Sequence, residues 1–539
     1  AGAGTSRRAT LFNCFVMGPI EDSMRGIFDA LREGAITLQQ GGGVGYDFST
    51  LRPTGALARE SGSIASGPVS FMKVWDAACA TIQSTGRRRG AMMATLRCDH
   101  PDIETFIDAK RAGGDLTHFN LSVLISDAFM DAVKHDREWP LVFPEAAADR
   151  TPASGCHMRV WNGSPKPVRC RTWKVVRART LWRRLCDSAH ECGEPGVLFI
   201  DRINADNNLG YCETVSATNP CAEEPLPPYG ACNLGSLNLA AFVRKPFSAT
   251  AKLDEPALLA TARVAVRFLD DIINVSSFPL LKQSHQALRT RRIGLGITGL
   301  GDALAMLGLR YDTQAARTLA SDLMRNIRDA AYEASIELAK EKGPFPAFRN
   351  RYLQQPFIAR LPAEIRGGIE RHGIRNSHLL AIAPAGSISL LAGNISSGIE
   401  PLFGIQAVRR MLDASGELHT VQVTDHAYAL WRAQQKTWSA VPEYFVNSYH
   451  VSPRDHLLMQ AALQPYIDGA ISKTVALPAK FPKEELPQIL EAAYDLNLKG
   501  CTVFREGARP GVVTPGYLTE PQGAAEALVR CCDFERETD

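Results

Sequence analysis

The chain has 539 residues, and its 60 Lys and Arg against 57 Asp and Glu leave a net charge of +3, with 45% hydrophobic and 22% charged residues. That near balance argues against a surface built for nucleic acid or anionic membrane. The hydrophobic content excludes a disordered or collagen-like chain, and no apolar run approaches the roughly 20 residues of a membrane span. The length suits three to four domains, or one large α/β barrel with insertions. Thirteen cysteines, with no apolar leader after Ala1–Arg8, point to a reducing cytoplasmic compartment, where a few thiols act in redox chemistry. The chain opens on Ala1 and runs straight into strand-like sequence, so it is expected to lack its natural N-terminal part.

Leu11–Met17 reads as a short buried strand. Glu21-Asp22-Ser23 starts a helix that carries Met24, Ile27, Phe28 and Leu31 on one face and ends at the glycine run Gly41–Gly45. Val69–Gln83 is a second amphipathic helix, followed by the basic turn Gly86-Arg87-Arg88-Arg89-Gly90. Ala91–Arg97 is a strand, Pro101–Lys110 a helix and Asn120–Ile125 a strand. Residues 145–174, polar and rich in proline, are expected to form an irregular surface excursion. Leu181–His190 is helical and Val197–Ile203 is a strand end. Asn207–Asn238 shows little periodicity and reads as a long loop, which inside a compact domain is usually functional. Glu255–Lys342 is helical except at the glycine-rich Gly294–Gly301. Leu379–Ile382 is a strand entering Pro384-Ala385-Gly386-Ser387, and Val475–Leu477 and Thr502–Phe504 are late strands. The tail from Pro510 on reads as loop and holds Cys531-Cys532. Strands alternating with helices predict an α/β fold with parallel strands.

Asn219-Pro220-Cys221-Ala222-Glu223 puts a thiol, a carboxylate and an amide on one loop. In an extended loop, side chains two apart project the same way, which would turn Asn219, Cys221 and Glu223 onto one small molecule. Spacing alone does not separate this from a buried loop cysteine beside solvated acids. Cys14 and Cys232, taken singly, read as small core residues. Pro384-Ala385-Gly386-Ser387-Ile388-Ser389 offers backbone N–H groups and hydroxyls that suit phosphate, but taken alone it reads first as an ordinary capped helix. Gly294-x-Gly296-x-x-Gly299 matches the dinucleotide fingerprint, but helix is expected before it, so it is set aside. Cys186, His190 and Cys192 lack the second ligand pair of a zinc site.

Six ordered blocks resemble the ribonucleotide reductase family: LFNCFVMGPIEDSM, QQGGGVGYDFSTLRP, GRRRGAMMATLRCDHPDIETFI, NPCAEEPLPPYGACNLGSLNL, RRIGLGITGLGDAL and PAGSISLLAGNISSGIEP. The resemblance implies a ten-stranded α/β barrel over residues 1–511, with the Cys221 loop threading its centre, and a C-terminal tail at 512–539. It implies that Cys221 carries a transient thiyl radical and that Glu223 is the general base on the substrate 3′ hydroxyl. Asn219 would position the sugar. Cys14 and Cys232 would supply two electrons and close to a disulfide. Asn13 and the loop of Ala385, Gly386, Ser387, Ile388 and Ser389 would bind substrate. Helices Asp22–Leu38 and Val69–Gln83 would pair in a homodimer, with dNTP or ATP effectors held by Asp22, Arg52 and Arg89. For Arg87-Arg88-Arg89 a solvated turn is the plain alternative.

The radical source is argued from what is missing. Val503 and Phe504 stand where an oxygen-dependent reductase of this family would carry a tyrosine pair. No glycyl-radical segment ends the chain. GCTVFREGARPG resembles the adenosylcobalamin-dependent type, though no Asp-x-His-x-x-Gly cobalt-ligand motif occurs. The expectation is therefore an adenosylcobalamin-dependent reductase of ribonucleoside diphosphates, without a protein-bound metal site, reduced by a thioredoxin-like partner. The alternatives are a tyrosyl-radical large subunit and an incomplete nucleotide-binding fragment that needs a partner chain. The adjacent Cys531-Cys532 departs from the spaced tail pair of the family and reads as two incidental thiols.

Overall fold

The computed structural model describes residues 10–57, 62, 64–82, 90–111, 113, 115–145, 155–164, 166–412, 418–435, 439–508 and 513–515. Arg87, Arg88, Arg89, Cys531 and Cys532 lie outside the described residues.

Runs such as MMATLR and FNLSVLI are mostly apolar and buried at successive positions, the pattern of strands covered on both faces. They belong to a nine-stranded mixed sheet. Its strands are β1 (Cys14–Val16), β2 (Gly43–Asp47), β3 (Met92–Arg97), β4 (Phe119–Ile125), β5 (Gly196–Phe199), β6 (Ala231–Asn238), β7 (Ile293–Thr298), β8 (Thr474–Leu477) and β9 (Gly500–Arg505). The order across the sheet is β7-β6-β1-β2-β3-β4-β5-β9-β8. Strands β1 to β5 are mutually parallel. Strands β6 and β7 form a second parallel pair, and β8 and β9 a third. The seams β1/β6 and β5/β9 are antiparallel.

The stretch 379–383 touches both edges of this sheet. Leu295 N–H donates to Leu379 O at 2.8 Å and Ala381 N–H to Leu295 O at 3.2 Å. On its other side, Ile382 N–H donates to Ala470 O at 3.1 Å and Ser472 N–H to Ile382 O at 2.9 Å. The bridges Leu295↔Leu380 and Ile382↔Ile471 are parallel. Asp468 pins the stretch, accepting from the amides of Leu379 and Leu380 at 2.9 and 2.8 Å and from Tyr332 Oη at 2.7 Å. The chain is thus an α/β protein built on one large mixed sheet.

Helix α1 (Met24–Gln39) starts at Ser23, whose Oγ accepts from Gly26 N–H at 3.0 Å. Helix α2 (Pro68–Thr81) drives Trp75 into the core against Tyr46 and Phe48, at ring separations of 5.8 and 5.4 Å. Their outer faces leave Met24, Phe28 and Val74 exposed.

Several sequence expectations are corrected. The excursion at 145–174 is ordered where described: Glu138–Pro144, Cys156–Arg159 and Val168–Arg177 form a three-stranded antiparallel sheet. Its polar alternation belongs to a sheet with one wet face. The long loop 207–238 contains the eight-residue β6, whose sequence ACNLGSLN hides a strand behind small and polar residues. The glycine run Gly41–Gly45 enters strand β2 instead of only ending a helix. Gly294 and Gly296 lie inside β7, and Gly299 caps the helix Leu300–Met306 with φ +74°. The strand–turn–helix context thought missing is therefore present. The glycines serve packing all the same: a Cβ at Gly296 would lie 2.2 Å from Ala381 O. The hairpin Gln406–Leu412/Leu418–Thr424, joined by Val513–Pro515, was not expected, because its charged and polar residues mask the strand pattern.

Candidate active site

Cys14 and Cys232 are direct partners across the antiparallel β1/β6 seam. Opposed residues of such a pair have Cα atoms about 4.5–5.5 Å apart, inside disulfide range. Both are buried thiols.

The Cys221 loop is the tip of a small hairpin whose arms are Ala217–Thr218 and Pro225–Leu226. It is a tight turn, not an extended loop. Ala222 N–H donates to Asn219 O at 3.1 Å, and Ala222 sits at φ +66°. Asn219 Oδ1 accepts from Glu224 N–H at 2.9 Å. The tip is held from two walls of the sheet: Asn120 Nδ2 of β4 donates to Pro220 O at 2.9 Å, and Ala470 N–H donates to Glu223 O at 2.9 Å. Gly45 of β2 admits the hairpin, since a Cβ there would lie 1.8 Å from Thr218 O.

The turn differs from the extended backbone that the spacing argument assumed. Asn219 and Glu223 face the dithiol. Asn219 Nδ2 donates to Cys14 Sγ at 3.3 Å, and the Cys14 thiol points at Glu223 Oε1 from 3.9 Å. Cys221 lines a cavity of about 210 Å³ that is also lined by Asn120, Pro384, Glu400, Cys501, Val503 and Phe504. An i, i+2 argument holds for extended backbone, and the left-handed Ala222 removes that premise.

Burial dominates the electrostatics. Glu223 is 1% exposed, and desolvation lifts its carboxyl to about 7, against the opposing hydrogen bonds of Asn219 and Cys14. Glu224 is lifted to about 8, again by burial. The Cys232 thiol is pushed well above its ordinary range by burial and by Glu224.

Of the other expected site residues, Asp22 and Arg52 come together. Arg52 Nε donates to Asp22 Oδ2 at 2.8 Å and Arg52 N–H to Asp22 Oδ1 at 3.1 Å. Asn13 precedes β1 and its carbonyl accepts from Gly43 N–H at 2.9 Å. Ala385, at φ +57°, caps the short helix Gly386–Leu391. Gly386, Ser387 and Ile388 fill its first turn, where helix geometry leaves the amides without intrahelical acceptors. The Ser389 hydroxyl is already engaged, donating to Ala385 O and lying 3.2 Å from Thr298 Oγ1. His190 meets Phe481 O at 2.8 Å, and among the described residues no His, Cys, Asp and Glu cluster is arranged for a metal.

Sequence reasoning missed a buried cluster on the cavity wall. Lys473 Nζ donates to Glu400 Oε2 and to Thr474 O at 2.7 Å, and lies 2.9 Å from His456 Nδ1. The one available signal was a lysine opening the apolar run Thr474–Leu477. It also did not single out Glu224, which is 2% exposed.

Two cysteines paired across a strand seam, a hairpin tip carrying a third, and a large mixed sheet around them define an α/β protein with a buried site of thiols and carboxyls. The family described as ribonucleotide reductase, barrel domain, matches residues 12–504. The chain belongs to the ribonucleotide reductase family. It is 38% identical over 535 residues to a vitamin B12-dependent ribonucleoside-diphosphate reductase of Mycobacterium tuberculosis (strain CDC 1551 / Oshkosh), covering 95% of this chain and 70% of that relative. It is 34% identical over 544 residues to a protein of the same name from Thermoplasma acidophilum, covering 98% of this chain and 65% of the relative. A ribonucleoside-diphosphate reductase large subunit of Vaccinia virus is 30% identical over 437 residues, 78% of this chain and 56% of the viral protein.

Proposed function

We propose that this chain is the catalytic barrel of an adenosylcobalamin-dependent reductase converting ribonucleoside diphosphates to 2′-deoxyribonucleoside diphosphates. The observation that carries the reading is the Cys14–Cys232 register beside Asn219 and Glu223, with Cys221 on the turn between them. In this reading Asn219 orients the sugar hydroxyls. Glu223, poised near 7, takes the 3′ hydroxyl proton. Cys221 as thiyl takes the 3′ hydrogen and later returns it. Cys14 gives a proton to the departing 2′ hydroxyl, which leaves as water. Cys14 and Cys232 end as a disulfide, so two thiols are oxidised as one C–OH becomes C–H.

The cavity supports the cofactor choice. Its lining includes the apolar Val197, Leu198, Val503 and Phe504 and the polar Asn394, Ser396 and Ser397. That combination suits the apolar faces and amide fringe of a corrin. When bound, adenosylcobalamin supplies hydrogen-abstracting radical chemistry. Val503 and Phe504 at this wall have no phenol to relay a radical, which favours this reading over the tyrosyl-radical large subunit.

The further assignments rest on the family and on local geometry. The stretch 379–383, bonded to both sheet edges, would be the tenth strand that closes a barrel spanning residues 1–511, with 512–539 as tail. Asn13 and residues 385–389 would take substrate, the phosphates meeting the first-turn amides of the helix Gly386–Leu391. The Asp22–Arg52 pair at the start of α1, with Arg89, would hold a dNTP or ATP effector. The exposed Met24, Phe28 and Val74 would be buried in a homodimer. A thioredoxin-like dithiol protein in the cytoplasm would be the reductant. The test is deoxynucleoside diphosphate formation by the purified chain with adenosylcobalamin, a dithiol and each effector. Turnover only with a diiron partner would favour the large-subunit reading, and effector binding without turnover would favour an incomplete fragment.

A further inference from the structure

Glu224 has no part in the reaction as written, yet it is buried in the reaction's centre. It is 2% exposed and lies within hydrogen-bonding reach of Cys232, itself fully buried. Its Oε1 has no hydrogen-bond partner among the described residues. Space for the carboxyl is made by Gly294 of β7, where a Cβ would lie 2.3 Å from Glu224 Oε1. The Cys232 S–H is turned onto Asn233 O at 3.4 Å, so the flank of the sulfur toward Glu224 is not engaged by that bond. The charged and titratable groups around Glu224 are Cys232 from β6, Arg292 before β7, its neighbour Glu223 and Asp468. Arg292 is held by Glu213 at 2.6 Å and touches His378 Nε2 at 3.4 Å. Cys14 faces Cys232 from the other strand.

We propose that Glu224 is the acid–base partner of Cys232, donating a proton to its sulfur when an external dithiol reopens the Cys14–Cys232 disulfide. The proposal rests on the dithiol reading above. In the step, one reductant thiolate attacks Cys14 Sγ. A mixed disulfide forms, the Cys14–Cys232 bond breaks, and Cys232 departs with the electron pair. The Glu224 carboxyl passes its proton to Cys232 and becomes a carboxylate. The second reductant thiol then closes the reductant's own disulfide and releases Cys14. The two protons lost by the reductant restore the Cys14 thiol and the Glu224 carboxyl.

The physical need is clear from the leaving group. A thiolate leaves more slowly the higher its pKa, and burial holds Cys232 well above the ordinary range. Expelled bare, it would be a buried anion beside a carboxyl group. A carboxyl lifted to about 8 is protonated at neutral pH and removes that charge at once.

The experiment starts from the full chain with the disulfide formed, reduces it with dithiothreitol, quenches with an alkylating agent and quantifies the Cys14 and Cys232 peptides by mass spectrometry. The rate constant, corrected for dithiothreitol thiolate, should fall as pH rises through about 8. Glu224→Gln should be roughly 10²-fold slower near neutral pH and should lose that break. A variant that matches the unaltered chain, or is slower yet keeps the break, overturns the proposal. The break is read in the unaltered chain, so a flat corrected rate there overturns it even if the variant does not fold. If no Cys14–Cys232 disulfide is ever found in the unaltered chain, the dithiol reading falls and takes this proposal with it.

Discussion

At the scale of single residues, the site is a set of thiols and carboxyls whose burial does the tuning. Cys221 alone of the three central cysteines lines the cavity. A serine there cannot form a comparably accessible radical, so Cys221→Ser should abolish deoxynucleotide formation while equilibrium dialysis still detects nucleotide binding. Substantial residual turnover would remove the radical role. Glu223 should act as a base only when ionised. Its carboxyl is lifted to about 7, so kcat/KM should rise with pH through about 7. Glu223→Gln should lose that limb and fall roughly 10²- to 10⁴-fold, as a pH–rate series on both proteins would record. Neither group announced its burial in the sequence: Glu223 and Glu224 sit side by side as charged letters, and only packing removes both from water.

Among the elements, the stretch 379–383 carries the most structural consequence for its length. Its amides reach β7 on one side and the approach to β8 on the other, and the Asp468 carboxylate takes two of them. Asp468 is also next to Gly469 and Ala470, and Ala470 holds the hairpin tip through Glu223 O. Asp468→Ala would leave the amides of Leu379 and Leu380 and the Tyr332 hydroxyl without this acceptor in a dry interior. At roughly 1–3 kcal/mol per unsatisfied group, a loss of several kcal/mol is expected. Chemical denaturation should show it as a lower midpoint with a similar slope. A midpoint unchanged from that of the unaltered chain would mean that Asp468 does not pin this stretch.

For the whole molecule, the two radical sources make opposite demands. The proposed reading requires added adenosylcobalamin for turnover, and no diiron or dimanganese subunit should replace it. Full activity in cobalamin-free buffer with such a subunit would reverse the choice. The tail poses a separate question. A vicinal Cys531-Cys532 disulfide would close a small strained ring and be more oxidising than a relaxed one, a poor reductant for Cys14–Cys232. Replacing both by serine should therefore leave thioredoxin-supported and dithiothreitol-supported turnover in the same ratio. Selective loss of the thioredoxin-supported rate would make the pair a shuttle.

The sequence by itself determined the α/β class and the family, and it put forward the candidate reactive groups, because these depend on local composition and on short ordered blocks. Apolar runs such as FNLSVLI report their own burial, and NPCAEE reports its own chemistry. Tertiary structure alone decided how those groups meet. Cys14 and Cys232 are 218 residues apart in sequence and become neighbours only through the register of β1 with β6. Strand β6 was read as loop because its small and polar residues pack on the helix Glu255–Val275 instead of meeting solvent, with Asn233 Nδ2 donating to Leu269 O and Gly235 lying against Leu269, and β7 was hidden because its glycines serve close packing. The tight turn at Cys221 followed from the left-handed backbone at Ala222, and the burial of Glu224 from the space left at Gly294. Long-range register, backbone sign and void space are properties of packed neighbours, and no local stretch of chain encodes them alone.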